Sequence, residues 1–275
     1  WLYYTLLRCE QLTGNKPWSE AWIMGYGLDE KGMKMSKSKG NAIDPLPLIE
    51  KLGADTFRFW SASEINHGYD FRCNEQKIES NKKFLTKLWN VSRFLSSFPV
   101  IESGTLTASD KWVLSELDNL VKECKKGYDE YNFFIPAIAI REFTWNLFAA
   151  HYIEMVKARA YGIGFSDEER DGAIFTLHKT LSTILKLLAP ITPFITEHLW
   201  KILYSKESIH KQKQVEPENI KVESNITKEI TEFNSKVWNE KKSQNLSLKD
   251  SIKIEIPTIL EPFKKDLKSM HNLVD

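Results

Sequence analysis

From residue 74 to residue 203 the sequence repeats one pattern, in which apolar residues recur at helical spacing over long stretches that short polar segments separate. This spacing places the apolar side chains on one face of an α-helix. The predicted helices cover residues 74–98, 110–128, 133–161, 166–188 and 192–203. Short loops between long amphipathic helices predict an antiparallel helix bundle.

Shorter elements are predicted before residue 64. An amphipathic helix precedes Gly14, and the apolar run Trp22–Tyr26 with its flanking glycines favours a short buried strand. Asp44-Pro45 predicts the start of a helix that ends at Gly53, because aspartate and proline favour the first helical positions. A further short helix is predicted for residues 54–63. The sequence therefore indicates a mainly α protein with some α/β structure at its front.

The sequence changes character after residue 204. Residues 205–220 are polar and lysine-rich, which predicts a mobile connector. A helix is predicted for residues 224–242, and the alternation of apolar and polar residues over 251–256 predicts a short β-strand.

The overall charge and the cysteines limit the class of function. Lysine and arginine number 38 against 37 acidic residues, a formal charge of +1, which excludes a histone-like polyanion binder but permits local basic surfaces. The three cysteines lie far apart without a CxxC pair, so we expect neither a disulfide framework nor a zinc site, and a reducing cytosol fits best. The scattered histidines show no metal-ligand spacing, and no apolar stretch is long enough to span a membrane.

The segment Lys34–Asn41 is the strongest candidate for chemistry. Three lysines alternate with serines between Gly32 and Gly40, so the segment offers ammonium groups, hydroxyls and backbone amides to a polyanion. The glycine spacing of a P-loop is absent. A solvated lysine-rich surface loop is the alternative interpretation.

Within this segment, Lys34–Ser38 resembles the signature loop of the class I aminoacyl-tRNA synthetases letter for letter. The continuation through Gly53-Ala54-Asp55 is similar to the stem-contact region of that family, and Phe84–Phe94 is similar to its valyl and isoleucyl branch. The stretch His151–Lys157 resembles the valyl enzymes in particular, and Trp238–Leu248 resembles an archaeal-type valyl enzyme. The isoleucyl enzymes tend to an arginine-rich stretch at residues 151–157, which this sequence lacks.

The resemblance implies an ATP-dependent enzyme in which the carboxylate of an amino acid attacks the α-phosphate of ATP and releases pyrophosphate. Lys37 is then the catalytic residue that meets the growing phosphate charge, with Lys34 in support. The implied ATP-binding residues are Lys34, Met35, Ser36, Lys37 and Ser38. ATP with Mg²⁺ is the substrate of the complete enzyme, and no metal or prosthetic group is expected to be bound by this chain.

The resemblance also implies that the chain is the C-terminal third of a valyl-type enzyme. The family's histidine-glycine-histidine segment and its editing domain do not occur in this sequence, which also lacks an initiator methionine. We therefore expect the isolated chain to be inactive, because ATP and valine bind through a missing N-terminal part. The implied regions are 1–44, the end of the catalytic nucleotide-binding domain; 45–100, the stem-contact region; 101–204, the anticodon-binding bundle; and 205–275, a C-terminal connector, helix and strand.

A tRNA, most simply the valine tRNA, is the implied partner. The polar positions of the 74–98 helix carry five basic residues against Glu79, and this positive excess favours contact with phosphates. Trp89 and Phe94 lie in its apolar stripe and are expected in the core. The candidate tRNA-binding residues are Lys82, Lys83, Lys87, Arg93, Arg141, Lys157 and Arg159. A solvated charged face is the alternative for all of them.

Three other interpretations stay open. The chain could come from an isoleucyl or leucyl enzyme, or be a non-catalytic tRNA-binding module whose lysine loop meets no ATP. A helical protein-interaction scaffold is the third, and it predicts no affinity for nucleic acid. We expect a monomer in the cytoplasm with no membrane partner.

Overall fold

The computed structural model describes residues 1–220 and 225–274, and the protein is mainly helical with one small parallel sheet. The chain divides into two compact units. Unit 1 contains residues 1–43 and 65–73, and unit 2 contains residues 44–64 and the chain from residue 74 onward. The division into four regions expected from the sequence stays a prediction.

Unit 1 contains one α-helix and the sheet. Helix α1 spans Leu2–Thr13 and ends at Gly14, whose φ of 66° is a left-handed conformation that glycine adopts without strain. Strand β1 (Gly27–Leu28) pairs in parallel with β2 (Phe71–Arg72), so that Gly27 lies opposite Phe71.

The buried strand predicted for residues 22–26 is wrong in both position and burial. Within that run Met24 forms only an isolated bridge to His67, and the large apolar side chains are exposed. The amide of Tyr26 donates to a carboxylate oxygen of Asp70 at 2.7 Å instead of to a strand. The regular strand β1 therefore begins one residue after the predicted run.

Unit 2 contains the other α-helices of the described residues, and all but α11, which was not predicted, lie close to predicted positions. They are α2 (Pro45–Leu52), α3 (Ala54–Glu64), α4 (Glu75–Leu95), α5 (Ala108–Asp129), α6 (Phe134–Glu142), α7 (Ile153–Ala160), α8 (Asp167–Leu188), α9 (Pro193–Leu203), α10 (Ile226–Ser243) and α11 (Lys264–His271). Short 3₁₀ helices cover Ile209–Lys211 and Thr258–Phe263. The predicted start of α10 at residue 224 lies outside the described residues.

The capping signal predicted at Asp44-Pro45 is confirmed, and an equally local capping box begins α8. Asp44 caps α2 by accepting a hydrogen bond from the Leu46 amide, and Gly53 ends that helix. Ser166 and Glu169 form the capping box of α8, in which each side chain accepts a hydrogen bond from the other residue's amide. Local side-chain chemistry thus sets these helix ends.

The segment predicted as one helix over residues 133–161 contains a π-helix. Phe143–Tyr152 is π-helical, follows α6 directly and leads into α7. A π-helix closes its hydrogen bonds five residues apart, and long π-helical runs are rare. Apolar spacing does not reveal it, because the buried Phe148 and Tyr152 fit an α-helix equally well.

The connector predicted to be mobile packs on unit 2. Ile209 is buried, and the carboxylate of Asp118 in α5 accepts hydrogen bonds from the amides of Glu218 and Asn219 at 2.5 and 3.1 Å. Lys125, also in α5, forms an ion pair with Glu216 at 2.6 Å. These contacts tie residues 216–219 to α5, which composition alone did not indicate.

The strand predicted for residues 251–256 does not form. Ile252 makes only an isolated parallel bridge to Leu273, whereas Ile254 and Ile256 pack, partly buried, against the hydrophobic core. The alternation of apolar residues is therefore real, but it turns side chains inward along an extended segment without a neighbouring strand.

Candidate functional site

The lysine-rich segment lies in unit 1, and two polar side chains outside its signature letters hold it. Asp29 accepts hydrogen bonds through one oxygen from the amides of Lys31 and Met33, at 3.0 and 2.8 Å, and through the other from Asn41 Nδ2 at 2.8 Å. Asn41 Oδ1 in turn accepts from the Ser36 amide at 2.9 Å. The hydrogen bond from Asn41 and then that from Met33 lower the pKa of Asp29, so this carboxylate stays ionised.

Between these supports the chain makes one short turn. Lys37–Lys39 is a 3₁₀ helix that ends at Gly40, where φ is 68°. The hydroxyls of Ser36 and Ser38 lie 2.8 Å apart and share a hydrogen bond. The Lys37 side chain is exposed and forms no ion pair within the described parts of the chain, so its ammonium group is available to an anion.

Lys34 and Met35 are held more closely than Lys37. The ammonium group of Lys34 lies 3.7 Å from the centre of the Tyr26 ring, a cation–π contact. The Met35 amide donates to the Gly27 carbonyl at 2.9 Å, and a β-carbon at Gly27 would lie 2.6 Å from the Met35 methyl group. Lys34 and Met35 thus anchor the segment, whereas Lys37 and Lys39 are both exposed and have no ion pair in the described residues.

A second candidate surface lies on α4 in unit 2. Lys82, Lys83 and Arg93 are exposed and Lys87 is half-buried, and none of the four has an ion-pair partner in the described part of the chain. By contrast, Lys77 of the same helix pairs with Glu64 at 3.2 Å. Cations without an ion pair bind phosphate at lower cost, because no protein contact must break first.

Two expectations for α4 are corrected. Glu75 also belongs to the helix, so its five basic residues face two acidic ones and its formal charge is +3. Trp89 was expected in the core but is 41% exposed, and its ring stacks on His198 at a centroid distance of 5.7 Å. Phe94 does pack, partly buried, against the core.

The remaining predicted RNA contacts differ in accessibility. Arg141 is half-buried, with its Nε 3.7 Å from Glu142. Lys157 is exposed, pairs with Glu154 at 3.1 Å and lies above the Phe94 ring at 5.6 Å. Both keep side-chain surface that an RNA can reach.

Arg159 is not available to RNA. Its side chain is fully buried, and its guanidinium donates to both oxygens of Asp110, at 2.7 and 2.8 Å, and to Asp266 at 3.0 Å. Tyr152 also donates to Asp110, at 2.5 Å. Burial acts against the charged guanidinium, but its hydrogen bonding to Asp110 and the two carboxylate charges outweigh burial and raise the pKa of Arg159. We call these four residues the Arg159 cluster.

The sequence did contain a signal for this burial. Arg159 follows Met155 and Val156 by four and three positions, so it lies on the buried stripe of α7. Its assignment as an RNA contact is therefore wrong, because its charge is used inside the protein.

Two histidines that appeared scattered meet in unit 2. Asn234 bridges them, since its amide nitrogen lies 3.0 Å from His151 Nδ1 and its oxygen 2.8 Å from His271 Nε2. The ammonium group of the buried Lys241 donates to the carbonyl oxygens of His271 and Leu248, each at 2.7 Å. Burial and then the nearby charges of Lys241 and His151 lower the pKa of His271 to about 4.

Within residues 1–220 and 225–274 no three His, Cys, Asp or Glu side chains come together as a metal site. In the same residues no helix has the length and apolarity that crossing a bilayer requires.

Two protein families match this chain. Residues 110–256 match the family described as the anticodon-binding domain of tRNA ligase, and residues 1–73 match the family described as class I tRNA synthetases (I, L, M and V). The synthetase match contains the lysine segment, and the anticodon-binding match extends from α5 through α10.

The curated relatives share the same description. Valine–tRNA ligases of Aeropyrum pernix, Pyrobaculum aerophilum and Nanoarchaeum equitans are 40%, 42% and 41% identical over 98%, 100% and 99% of this chain. The chain covers 34%, 35% and 36% of those proteins, about a third of their length.

A solved structure shares the fold. The ternary complex of Agrobacterium radiobacter K84 agnB2 LeuRS with tRNA and LeuAMS matches 79% of this chain and 26% of its own, with a TM-score of 0.61 and 20% sequence identity. At that identity the likeness concerns the fold alone.

Proposed function

Since this chain belongs to the class I tRNA synthetases that carry the anticodon-binding domain of tRNA ligases, we propose that it is the part of a valine–tRNA ligase that contains the ATP-phosphate loop and the tRNA-binding helices. The observation that supports this most is the identity of about 40% to valine–tRNA ligases along the whole chain. The complete enzyme would activate valine with Mg²⁺-bound ATP and transfer it to tRNA. A cytoplasmic monomer is part of the same proposal.

The loop supplies the phosphate chemistry in this proposal. Adenylate formation needs no protein nucleophile, so catalysis consists of positioning and of stabilising charge on the phosphates. Lys37, which like Lys39 is exposed and has no ion pair in the described residues, is the lysine that the signature loop assigns to the charge that grows as pyrophosphate leaves. Lys34 supports it through its cation–π contact with Tyr26. Ser36 donates its amide to Asn41, and the hydroxyls of Ser36 and Ser38 share a hydrogen bond at the turn that ends at Gly40.

The test of the loop is Lys37→Ala in a complete valine–tRNA ligase that contains this sequence. The rate of ATP–pyrophosphate exchange should fall by roughly 10²–10³, the scale for removing one preorganised donor, while ATP affinity falls less. Lys39→Ala, at the other end of the same 3₁₀ helix, is the matched control. An exchange rate of Lys37→Ala within about threefold of the wild-type rate would refute the catalytic role of Lys37. The isolated chain should show no exchange.

The helices of unit 2 supply the RNA surface in this proposal. Helices α5 to α9 would form an antiparallel bundle that holds the anticodon, and α4 would contact the phosphate backbone through Lys82, Lys83, Lys87 and Arg93. Arg141 and Lys157 are secondary contacts. The ion pairs that occupy Lys77, Lys157 and Arg159 support the choice of the α4 cations, because those four have no such partner in the described residues.

The test of the RNA surface is equilibrium binding of this chain to valine, isoleucine and leucine tRNA transcripts over a salt series. Tighter binding of the valine tRNA, weakened by a change in its anticodon, would support both the anticodon role and the amino-acid identity. Salt-dependent binding without preference among the tRNAs would support the RNA-binding role alone. Selection of the valine tRNA would then depend on the rest of the enzyme. Absence of binding at low salt would refute the RNA role and favour the protein-interaction scaffold.

A further inference from the structure

The lysine face of α4 borders a surface depression whose lining adds Trp145 and three further α4 residues to the predicted Lys82, Lys83 and Lys87. The depression has a volume of about 440 Å³ and is lined by side chains of α4 and by Trp145 of the π-helix. Its α4 lining residues recur three or four positions apart and so share one helix face. They are Glu79, Lys82, Lys83, Thr86, Lys87 and Asn90.

Trp145 has the properties of a binding surface rather than of a core residue. Its side chain is 38% exposed, although it lies in a helix whose neighbours Phe143, Thr144 and Phe148 are buried. Among the residues that the structure describes, no ring contact or side-chain hydrogen bond involves its indole. An exposed aromatic face beside cations without ion pairs is a surface on which a flat ligand can stack.

The lysines that line the depression also lack ion pairs within the described residues. In residues 1–220 and 225–274, the ammonium groups of Lys82, Lys83 and Lys87 have no carboxylate within ion-pair distance. Glu79 at one edge repels an anion, so the phosphate-binding part of the depression lies toward Thr86 and Asn90.

We propose that this depression binds an unpaired nucleotide of the tRNA, whose base stacks on Trp145 while Lys82, Lys83 and Lys87 bind its phosphate groups. A base-paired helix presents phosphates to the lysines but hides the faces of its bases, so only an unpaired or terminal base uses the indole. The volume suits a ligand of nucleotide size. The inference rests on the proposed RNA-binding function and adds to it the type of nucleotide and the residue that holds the base.

The test measures the affinity of the whole 275-residue chain for the valine tRNA transcript at several salt concentrations. Trp145→Ala should weaken binding by about 5- to 140-fold, the range for losing one base–aromatic stack. Trp145→Phe keeps an aromatic face and should stay within about threefold of wild type. Neither substitution should change the slope of log affinity against log salt, because the lysines that bind phosphate stay in place.

Two control variants separate stacking from charge and from general damage. Lys82→Ala with Lys83→Ala should reduce the salt slope by about 0.7–0.9 for each phosphate that these lysines neutralise. Trp89→Ala removes another half-exposed tryptophan of unit 2, outside the depression, and should bind tRNA within about twofold of wild type. The thermal unfolding midpoints of the variants check that each chain is folded.

The outcomes separate this inference from the function on which it rests. Wild-type chain that fails to bind the transcript at low salt overturns the RNA-binding function, and the nucleotide site with it. Binding by wild type that Trp145→Ala leaves unchanged overturns the site alone. Equal decreases in affinity for Trp145→Ala and Trp145→Phe, or a changed salt slope in either, also overturn stacking, since a packing or electrostatic role would then explain the effect.

Discussion

Replacing Arg159 by leucine separates an internal role of this residue from the RNA contact that its position in the sequence suggested. The guanidinium donates to both oxygens of Asp110, to Asp266 and to the Glu169 carbonyl oxygen, at distances from 2.7 to 3.2 Å. Arg159→Leu fills part of the volume but leaves Asp110 and Asp266 buried without a counter-ion. Breaking a buried pair by removing one partner costs about 3–5 kcal/mol in the free energy of unfolding.

That free energy converts into a measurable change in melting temperature. For a chain of this size each kcal/mol lowers the unfolding midpoint by about 2–4 °C, so Arg159→Leu should lower it by about 6–20 °C. Thermal unfolding followed by circular dichroism measures the shift. Asp110→Asn and Asp266→Asn in the same chain should restore part of it, because they remove the unpaired charges.

The matched control is Arg141→Leu. Arg141 is half-buried and has only Glu142 nearby, at 3.7 Å, so its replacement should cost less than about 1 kcal/mol. An unfolding midpoint of Arg159→Leu within about 2 °C of wild type would refute the internal role. A decrease in tRNA affinity with unchanged stability would return Arg159 to the RNA-binding surface.

Two further predictions concern the histidine pair and the loop. The folded-state pKa of His271 is about 4 against an ordinary value of 6.5, so its contribution to stability is complete above pH 6.5 and is lost as the pH falls toward 4. The urea unfolding midpoint should therefore drop over this interval by the equivalent of roughly 3 kcal/mol, and His271→Gln should flatten the pH dependence; an equally steep profile in that variant would contradict the assignment. In a complete enzyme, Asn41→Ala should slow pyrophosphate exchange by about tenfold, since it removes the link between Asp29 and the Ser36 amide. Asn41→Asp can accept from Ser36 but repels Asp29, so it should be slower still, and a wild-type rate in that variant would show that the link has no catalytic effect.

The helices were predictable because their signals are local. Capping residues such as Asp44 and Ser166 act within three positions of the helix start, and apolar stripes need only the spacing of neighbouring turns. The signature segment Lys34–Ser38 was recognised in the same local way. Its supports were missed because Asp29 and Asn41 act on each other over 12 positions, through side chains that in sequence look like ordinary turn residues.

The errors arise where partners are distant in the sequence. Arg159 binds Asp110 and Asp266, which lie 49 and 107 positions away in the sequence, and the residues next to Arg159 do not indicate those partners. The composition of residues 209–219 is typical of a solvated linker. In the structure the amides of Glu218 and Asn219 donate to Asp118, about a hundred positions away in the sequence. The exposure of Trp145 was not predicted, because the spacing of apolar residues does not reveal a π-helix and therefore does not show which side chains it exposes.

The Arg159 cluster also sets an order of events during synthesis. Asp110 precedes Arg159 in the chain, but Asp266 follows it by 107 residues. A ribosome that adds about 5–20 residues per second needs about 5–20 s to cover that distance. Throughout this interval the nascent chain contains the Arg159 guanidinium and only one of its two carboxylate partners, and α11 then supplies the second. The Arg159 cluster is therefore incomplete in the growing chain until α11 has been made.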